Sequence, residues 1–585
     1  MIVKKEELTS ALEYLDKCPE LSVDSETTGF RYNDRAFSAQ FANEEKSFYF
    51  DKRILGEEYD KVKLLTKKPR TYYFQNAKFD MRMLSWDGFD FKGTISDLEV
   101  LVRLNQNDVH STSLATTAKA NGMEKLGIVE DYIKIHKLWT DVKSKHWDKT
   151  ERRLHYDKVP IDIMGIYAPH DTRITFDLSK KYLKSLDEKS LDVYKNECAL
   201  TPVCFDMEMR GALIDPVYTE AQIEYESGLI REARNAFLCI TGKVYDGSKS
   251  QLIDVFTKAG ENIPKTATGR DSLTDDILES FTSPAAKAVQ TIRYYEKRIS
   301  TYYSSFLDLC DEQNRIHPDM RQAGTTTGRF SYRAPNFQNL SKEDEPEDLI
   351  RPNLIRRCFI PEPGHYLVSM DYSQMEYRLM LAYAKQHNMI KSVMLGADVH
   401  EATAQLVSIS RKPAKTLNFA ILFGAGLDKL ATMLGISKYE AGVLRGKYFN
   451  SLPAVQFLIG QIKTTGMTRG YIYNWMGRKL HLPGGISSNS FALPNHLIQS
   501  SGADTCKLAM VNIAKEIKGT GIYMSKQVHD QLVFQWPKDQ LDKIPRVKEI
   551  MEDAFPEKEG MRMKVDVSYS TKSFAEANMI KGIPC

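Results

Sequence analysis

The chain has 585 residues, 42% of them hydrophobic and 27% charged, with a formal net charge of +3. That length is too great for one core and predicts several domains, and the composition argues against a disordered chain. The weakly basic balance does not exclude a polyanionic partner, because cations can cluster in one groove while carboxylates cluster elsewhere.

The opening stretch MIVKKEELTSALEYL reads as an amphipathic helix without the apolar core of a secretion signal. No run of about 18 apolar residues occurs, so no membrane span is expected. The eight cysteines are scattered without CxxC or Cys/His ligand spacing, which favours reduced thiols and a cytoplasmic setting. Residues 1–190 alternate strand-like runs (FSAQFANEEKSFYF, TYYFQNAKF) with helical ones, an α/β pattern. Residues 191–315 are mostly helical, and mixed α and β follows, with apolar strand runs HYLVSM, GIYMSKQ and QLVFQW. The main boundary is placed near 190.

In LSVDSETTGF, Asp24 and Glu26 stand two apart at the end of a strand-like run, so both side chains share one sheet face. NAKFD sets Asn76 and Asp80 four apart, and YAPHD does the same for Tyr167 and Asp171, a helical spacing that puts each pair on one face. Carboxylates drawn together repel unless cations lie between them, so divalent metals are the natural occupants. One ion could acidify an attacking water while a second stabilises the leaving oxygen of a phosphodiester. The order DxE, NxxFD, YxxxD resembles the DEDDY 3′–5′ exonuclease family over about residues 15–185. The resemblance implies a ribonuclease-H-like fold, with Asp24, Glu26, Asp80 and Asp171 as metal ligands and Tyr167 positioning the water.

HYLVSMDYSQMEYRLM predicts a strand ending at Asp371 and running into a helix. GIYMSKQVHDQLVFQW predicts two strands around a tight turn that carries His529 and Asp530. Two strand-end aspartates of one sheet could hold two Mg²⁺ ions. Between them RKPAKTLNFAILFG predicts a helix with Ser410 as N-cap and Pro413 in the first turn. Steps of four align Arg411, Lys415, Phe419 and Phe423, and cations at a helix N-terminus suit a triphosphate rather than an ordinary surface.

DYSQMEYR, RxxxKxxxFxxxFG and VHDQ resemble motifs A, B and C of family A DNA polymerases, and TTTGRFSY, PNFQNL, IRRCFIPEPG, DVHEATA, RGYIYNWMGRKLHLP and NHLIQSSGADTCKLAM extend the match over about 200–580. The resemblance implies an α/β multidomain chain: a 3′–5′ exonuclease domain at 1–190 and a right-hand polymerase domain at 191–585. The latter would comprise a thumb at about 200–315, a palm at about 316–395 and 485–585, and fingers at about 396–484. It implies Asp371 and Asp530 as metal ligands, with two Mg²⁺ per site and Mn²⁺ as a substitute. Arg411, Lys415 and His400 would hold the triphosphate, Phe419 would stack by the sugar and base beside Phe423, and Glu376 would exclude a ribose 2′-OH, with Gln374 and Arg378 in support. Arg329, Asn336, Gln338, Asn495, Gln499 and His529 would contact primer–template DNA, where minor-groove acceptors allow pairing to be checked without reading sequence. Lys249 and the pair Lys297–Arg298 are candidates for phosphate contacts.

The family pattern is broken at Gln531, which replaces a second acid after Asp530 and is expected to orient water or ligand by its amide. Phe423 stands where Tyr is usual, and Phe491 where relatives carry a basic residue. No 5′-nuclease domain is expected, because the exonuclease motif begins at residue 24. The partners implied are primer–template DNA and dNTPs, with a monomeric state, no membrane partner, and helicase, primase or processivity factors left open. The size is similar to that of bacteriophage-encoded members, which would act in DNA replication in the host cytoplasm. A single-subunit RNA polymerase and a non-catalytic DNA-binding scaffold on the same fold are the alternatives.

Overall fold

Two sheets and the helix between them organise the chain. The computed structural model describes residues 1–143, 150–266, 268–340, 354–482 and 490–578. The first sheet is five-stranded, in the order β3-β2-β1-β4-β5. It comprises β1 (Glu20–Thr27), β2 (Ala36–Ala42), β3 (Ser47–Asp51), β4 (Arg70–Phe74) and β5 (Gly93–Asp97). β1, β2 and β3 pair antiparallel, and β4 and β5 join in parallel. Period two divides β1: Leu21 and Val23 enter a core with Phe41, Phe50 and Phe74. Ser22, Asp24 and Glu26 therefore turn to the opposite face.

Helix α1 (Ala77–Ser85) follows β4. Its N-terminus is held by Asp97, whose carboxylate accepts from the amides of Asn76 at 3.0 Å and Ala77 at 2.8 Å. Asn76 adopts φ 64°, a left-handed conformation that asparagine tolerates better than most residues. A hairpin of β6 (Trp139–Lys143) and β7 (Thr150–Leu154) precedes helix α2 (Ile161–Lys184), which crosses the polar face of β1. Ser22 Oγ donates to the Thr172 carbonyl at 2.8 Å and fixes that crossing.

Helix α3 (Leu191–Arg210) belongs to both halves. Its Tyr194 hydroxyl donates to Ser96 Oγ of β5 at 2.9 Å. One turn on, buried Glu197 accepts from Lys507 at 2.5 Å and from Arg478, which also meets Asp504 at 2.7 Å. The helical region that follows includes α4 (Pro216–Thr241) and α5 (Pro284–Arg298), the latter continuing through a π-helical turn at Ile299–Tyr303. Arg298 is not a surface cation: it is buried and ion-paired to Glu226 at 2.7 Å, because a guanidinium inside this helical pair needs a carboxylate.

The second sheet is four-stranded and antiparallel. Its first strand, β8 (His365–Tyr372), runs into α6 (Met375–Ala384), followed by α7 (Val399–Val407), α8 (Arg411–Leu422) and the long α9 (Leu493–Glu516). β9 (Tyr523–Val528), β10 (Gln531–Pro537) and β11 (Val565–Ser570) complete it, in the order β9-β10-β8-β11. α9 is buried through most of its length and packs closely on α6. A Cβ on Gly502 would stand 2.9 Å from Met375 Sδ, so glycine sets that approach. All described cysteines are free thiols, and no described helix is long and apolar enough to cross a membrane.

Candidate active sites

The N-terminal site forms where β1, α1 and α2 meet. Burial is the main force raising the Asp24 carboxyl to about 7, and the Asp171 charge adds to it. Glu26 and Asp80 are pushed well up by burial and then by Asp24, with Asp171 adding at Glu26. Asp171 is raised by burial against the opposing pull of Lys125. All four expected acids therefore lie in one another's fields. Ser25 Oγ donates to Asp80 Oδ1 at 2.6 Å and fixes one rotamer. Tyr167, one turn before Asp171, directs its hydroxyl to Glu130 Oε1 at 3.3 Å.

The donor set suits a hard divalent cation: carboxylates from three rigid elements, with Asp171 Oδ1 buried and without a hydrogen-bond partner. Among the described residues, no three His, Cys, Asp or Glu side chains form a ready-made metal cage. Lys125 lies there instead, its ammonium 2.8 Å from Asp171 Oδ2 and 2.5 Å from the Tyr167 hydroxyl. Sequence reasoning missed Lys125 and Glu130; both fall in a loop and helix start with no chemical motif.

The second site is built on β8 and the β9–β10 turn. Asp371 is the Cα partner of Gln531 in β10, and the Tyr372 amide bonds the Asp530 carbonyl at 3.4 Å, so the two aspartates occupy neighbouring strand ends. His529 makes the turn with φ 58°. Gln338 clamps that turn, accepting from the His529 amide at 2.8 Å and donating to Gln527 Oε1 at 2.8 Å. Asn336 caps the short helix Phe337–Asn339 by accepting from the Gln338 amide at 3.0 Å. Beside Asp530 lies a cavity of about 310 Å³ lined by Arg329, Phe330, Glu376 and Gly502, among others. Arg329 and Glu376 are ion-paired across it.

Gln531 is tied into the sheet by its side chain. Its amide is buried, donating to Ser369 Oγ at 2.5 Å and accepting from Arg356 Nη1 at 3.5 Å, because Asp371, Ser369 and Gln531 share one sheet face above a buried arginine. Arg356 is lowered by burial to about 10, with the Asp371 charge pulling the other way.

Arg411, Lys415, Phe419 and Phe423 line one side of α8, and the two rings stack at 5.9 Å and 10°. Ser410 stands at the N-cap with extended backbone, but its side chain makes no capping bond. Arg411 pairs instead with Asp398 at 2.8 Å. Against the upward push of burial, the Arg411 hydrogen bond helps hold Asp398 down to about 2. Gln374 donates to the same carboxylate at 3.2 Å. His400 is buried and lowered by that burial; Asn418 Nδ2 meets its Nδ1 at 3.0 Å, which leaves Nε2 to carry the proton as a donor. Sequence reasoning missed both Asp398, which its place as N-cap two residues before His400 could have revealed, and Asn418, which carried no signal.

Asn495 and Gln499 are partly buried on the first turns of α9, and Asn495 Oδ1 has no hydrogen-bond partner. Lys249 stands apart, exposed at the start of the helix Lys249–Lys258 in a separate helical cluster.

These two sheets, each with acids at its strand ends, define a bipartite protein: an exonuclease domain followed by a palm-based polymerase domain. Residues 219–576 match DNA polymerase family A, and residues 1–187 match the 3′–5′ exonuclease family. The chain belongs to DNA polymerase family A.

DNA polymerase I of Chloroflexus aurantiacus is 28% identical over 514 residues, covering 83% of this chain and 52% of that protein. DNA polymerase I of Borreliella burgdorferi is 26% identical over 586 residues, covering 94% of this chain and 62% of that protein. The chain thus spans about half to three-fifths of the length of those relatives. The DNA polymerase of Mycobacterium phage L5 is 26% identical over 545 residues, covering 89% of this chain and 88% of that one. A solved structure described as the POL domain of Pol1 from M. smegmatis, in complex with DNA primer-template and dNTP, shares the fold. Its TM-score is 0.82 over 99% of both chains, at 23% identity.

Proposed function

We propose that this chain extends a DNA primer on a template with dNTPs and removes mismatched 3′ ends by a separate hydrolytic site. The observation that carries this reading is the placement of Asp371 and Asp530 on adjoining strand ends, beside the cavity that Arg329 and Glu376 line. Each acid centre would hold two Mg²⁺ ions, whose Lewis acidity would activate the nucleophile and stabilise the leaving oxygen.

The protein's own groups do the positioning. Arg411, Lys415 and the Nε2–H of His400 would grip the triphosphate, and Arg411 would exchange its bond to Asp398 for one to phosphate. Phe419 and Phe423 offer a stacked apolar wall to the incoming sugar and base. Glu376 narrows the cavity against a 2′-OH, and its partner Arg329 would turn to the minor groove with Asn336, Gln338, Asn495, Gln499 and His529. Lys249 would reach duplex phosphate from the thumb. In the other domain Asp24, Glu26, Asp80 and Asp171 would hold the cations, while Tyr167 orients water. The division at residue 190, with thumb, palm and fingers bounded as the sequence suggests, is part of this reading, as are a monomeric state and action in the cytoplasm. The relation to a phage polymerase supports a role in phage DNA replication.

A primer-extension assay with matched and mismatched 3′ ends, with and without Mg²⁺, tests both sites. Asp371→Ala should abolish extension and spare excision; unchanged extension would refute the assignment.

A further inference from the structure

Lys125 stands where no motif of the sequence called for a cation. It lies in the loop between helices Leu114–Ala120 and Ile128–His136, with a side chain 22% exposed. Its ammonium donates to the Tyr167 hydroxyl at 2.5 Å, lies 2.8 Å from Asp171 Oδ2 and 3.7 Å from Glu130 Oε1, and sits 4.6 Å from the centre of the Tyr167 ring. Its charge also reaches Asp24 and Glu26, opposing the effect of burial on both.

A lysine ammonium can only donate, whereas a tyrosine hydroxyl can accept and has a single proton to give. With its oxygen accepting from Lys125, that hydroxyl must direct its proton elsewhere. Glu130 receives it here at 3.3 Å. Once substrate is bound, the oxygen of the attacking water is the acceptor that matters. A hydroxyl locked as a donor toward that oxygen turns the water's hydrogens away, toward the carboxylates.

We propose that Lys125 is a positioning residue for 3′-end hydrolysis, acting through Tyr167 to fix the direction of its hydroxyl. The proposal rests on the reading of Asp24, Glu26, Asp80 and Asp171 as the excision site. A plain loop tether would need only the Asp171 contact. The second donor bond, to the one hydroxyl directed at the nucleophile, gives the lysine a further role.

The test measures 3′ degradation of single-stranded DNA by the full chain with Mg²⁺, for Lys125→Ala, Lys125→Arg, Tyr167→Phe and the double variant Lys125→Ala/Tyr167→Phe. Lys125→Ala should lower kcat by about 10- to 100-fold, the range for removing a partner that orients a catalytic group, with KM nearly unchanged. Lys125→Arg should recover most of the rate. In the Tyr167→Phe background the lysine change should cost under about threefold more, because the hydroxyl it directs is gone. Losses that multiply in the double variant, or wild-type kcat in Lys125→Ala, would overturn the proposal. Should Lys125→Ala fail to fold, as judged by its melting transition, Lys125→Met carries the same comparison with the aliphatic stem retained. An Asp24→Ala chain that still degrades DNA would instead remove the excision-site reading itself.

Discussion

The two acid centres handle negative charge in opposite ways. In the N-terminal domain the carboxylates come from a strand and two helices, burial raises all four, and repulsion from a neighbouring acid of the set adds to it at Asp24, Glu26 and Asp80. In the palm the acids sit at neighbouring strand ends, the adjacent position is a neutral amide, and a buried arginine lies close by. One site concentrates charge and needs a counter-cation; the other spreads charge and sets its cations on a separate helix. Geometry thus gives the two proposed reactions, hydrolysis and transfer, different electrostatic settings, though both would use the same ions.

The strongest way to break this comparison is to remove one acid from each centre. Asp371→Ala should cost extension at least about a thousand-fold, since losing one proposed metal ligand would forfeit several kcal/mol of transition-state stabilisation. Asp24→Ala should cost excision about as much. Measured on the same primer, the two losses should fall in separate reactions. A single variant that lost both would show that the centres are not independent.

Next in size is a test of the helix that joins them. Glu197→Gln leaves Lys507 and Arg478 buried with their shared carboxylate gone, and should destabilise the chain by about 3 kcal/mol in urea unfolding. Asp504 still faces Arg478, so the loss should lie at the lower end for a broken buried pair.

A smaller effect separates the centres by pH. The Asp24 carboxyl stands at about 7, against an ordinary value of 3.8. A group raised on folding stabilises the protein below its unfolded value, and that contribution is lost as pH rises through the folded value. Without divalent ions, then, stability should fall between about pH 4 and pH 7, and added Mg²⁺ should restore it. Thermal melts with Mg²⁺ and with chelator should differ more at pH 8 than at pH 5.5, by on the order of 1–2 kcal/mol. Asp24→Asn should shrink that difference.

The least change is expected from Gln531→Glu. A carboxylate there can still accept from Arg356 and bond the Ser369 hydroxyl, so extension should stay within about fivefold of wild type, the factor carried by one ordinary hydrogen bond. A larger gain in Mg²⁺ affinity would mean that the inward amide weakens the palm site.

Much of this was legible from the chain. The period of two in β1 sends Asp24 and Glu26 to one face, and spacing of four puts Tyr167 with Asp171 and aligns Arg411 through Phe423, because helix and strand geometry is local. The His529–Asp530 turn was equally plain from its flanking apolar runs. What escaped were partners that only folding brings near. Arg298 reads as a surface cation until Glu226 arrives from 72 positions away in another helix. The ties of Gln531 to Ser369 and Arg356 appear only once the register of β8 and β10 sets it opposite Asp371. Lys125 has no local signature, since its closest contacts, to Tyr167 and Asp171, come from α2.

Tyr194 and Glu197 fasten opposite halves of the chain to one rod only a turn apart. A hinge there would have to break buried ion pairs, so the scaffold is poorly suited to swinging one workshop toward the other. On the proposed reading a frayed strand terminus would have to make the journey itself, and the time spent on editing would follow how readily the last base pairs melt.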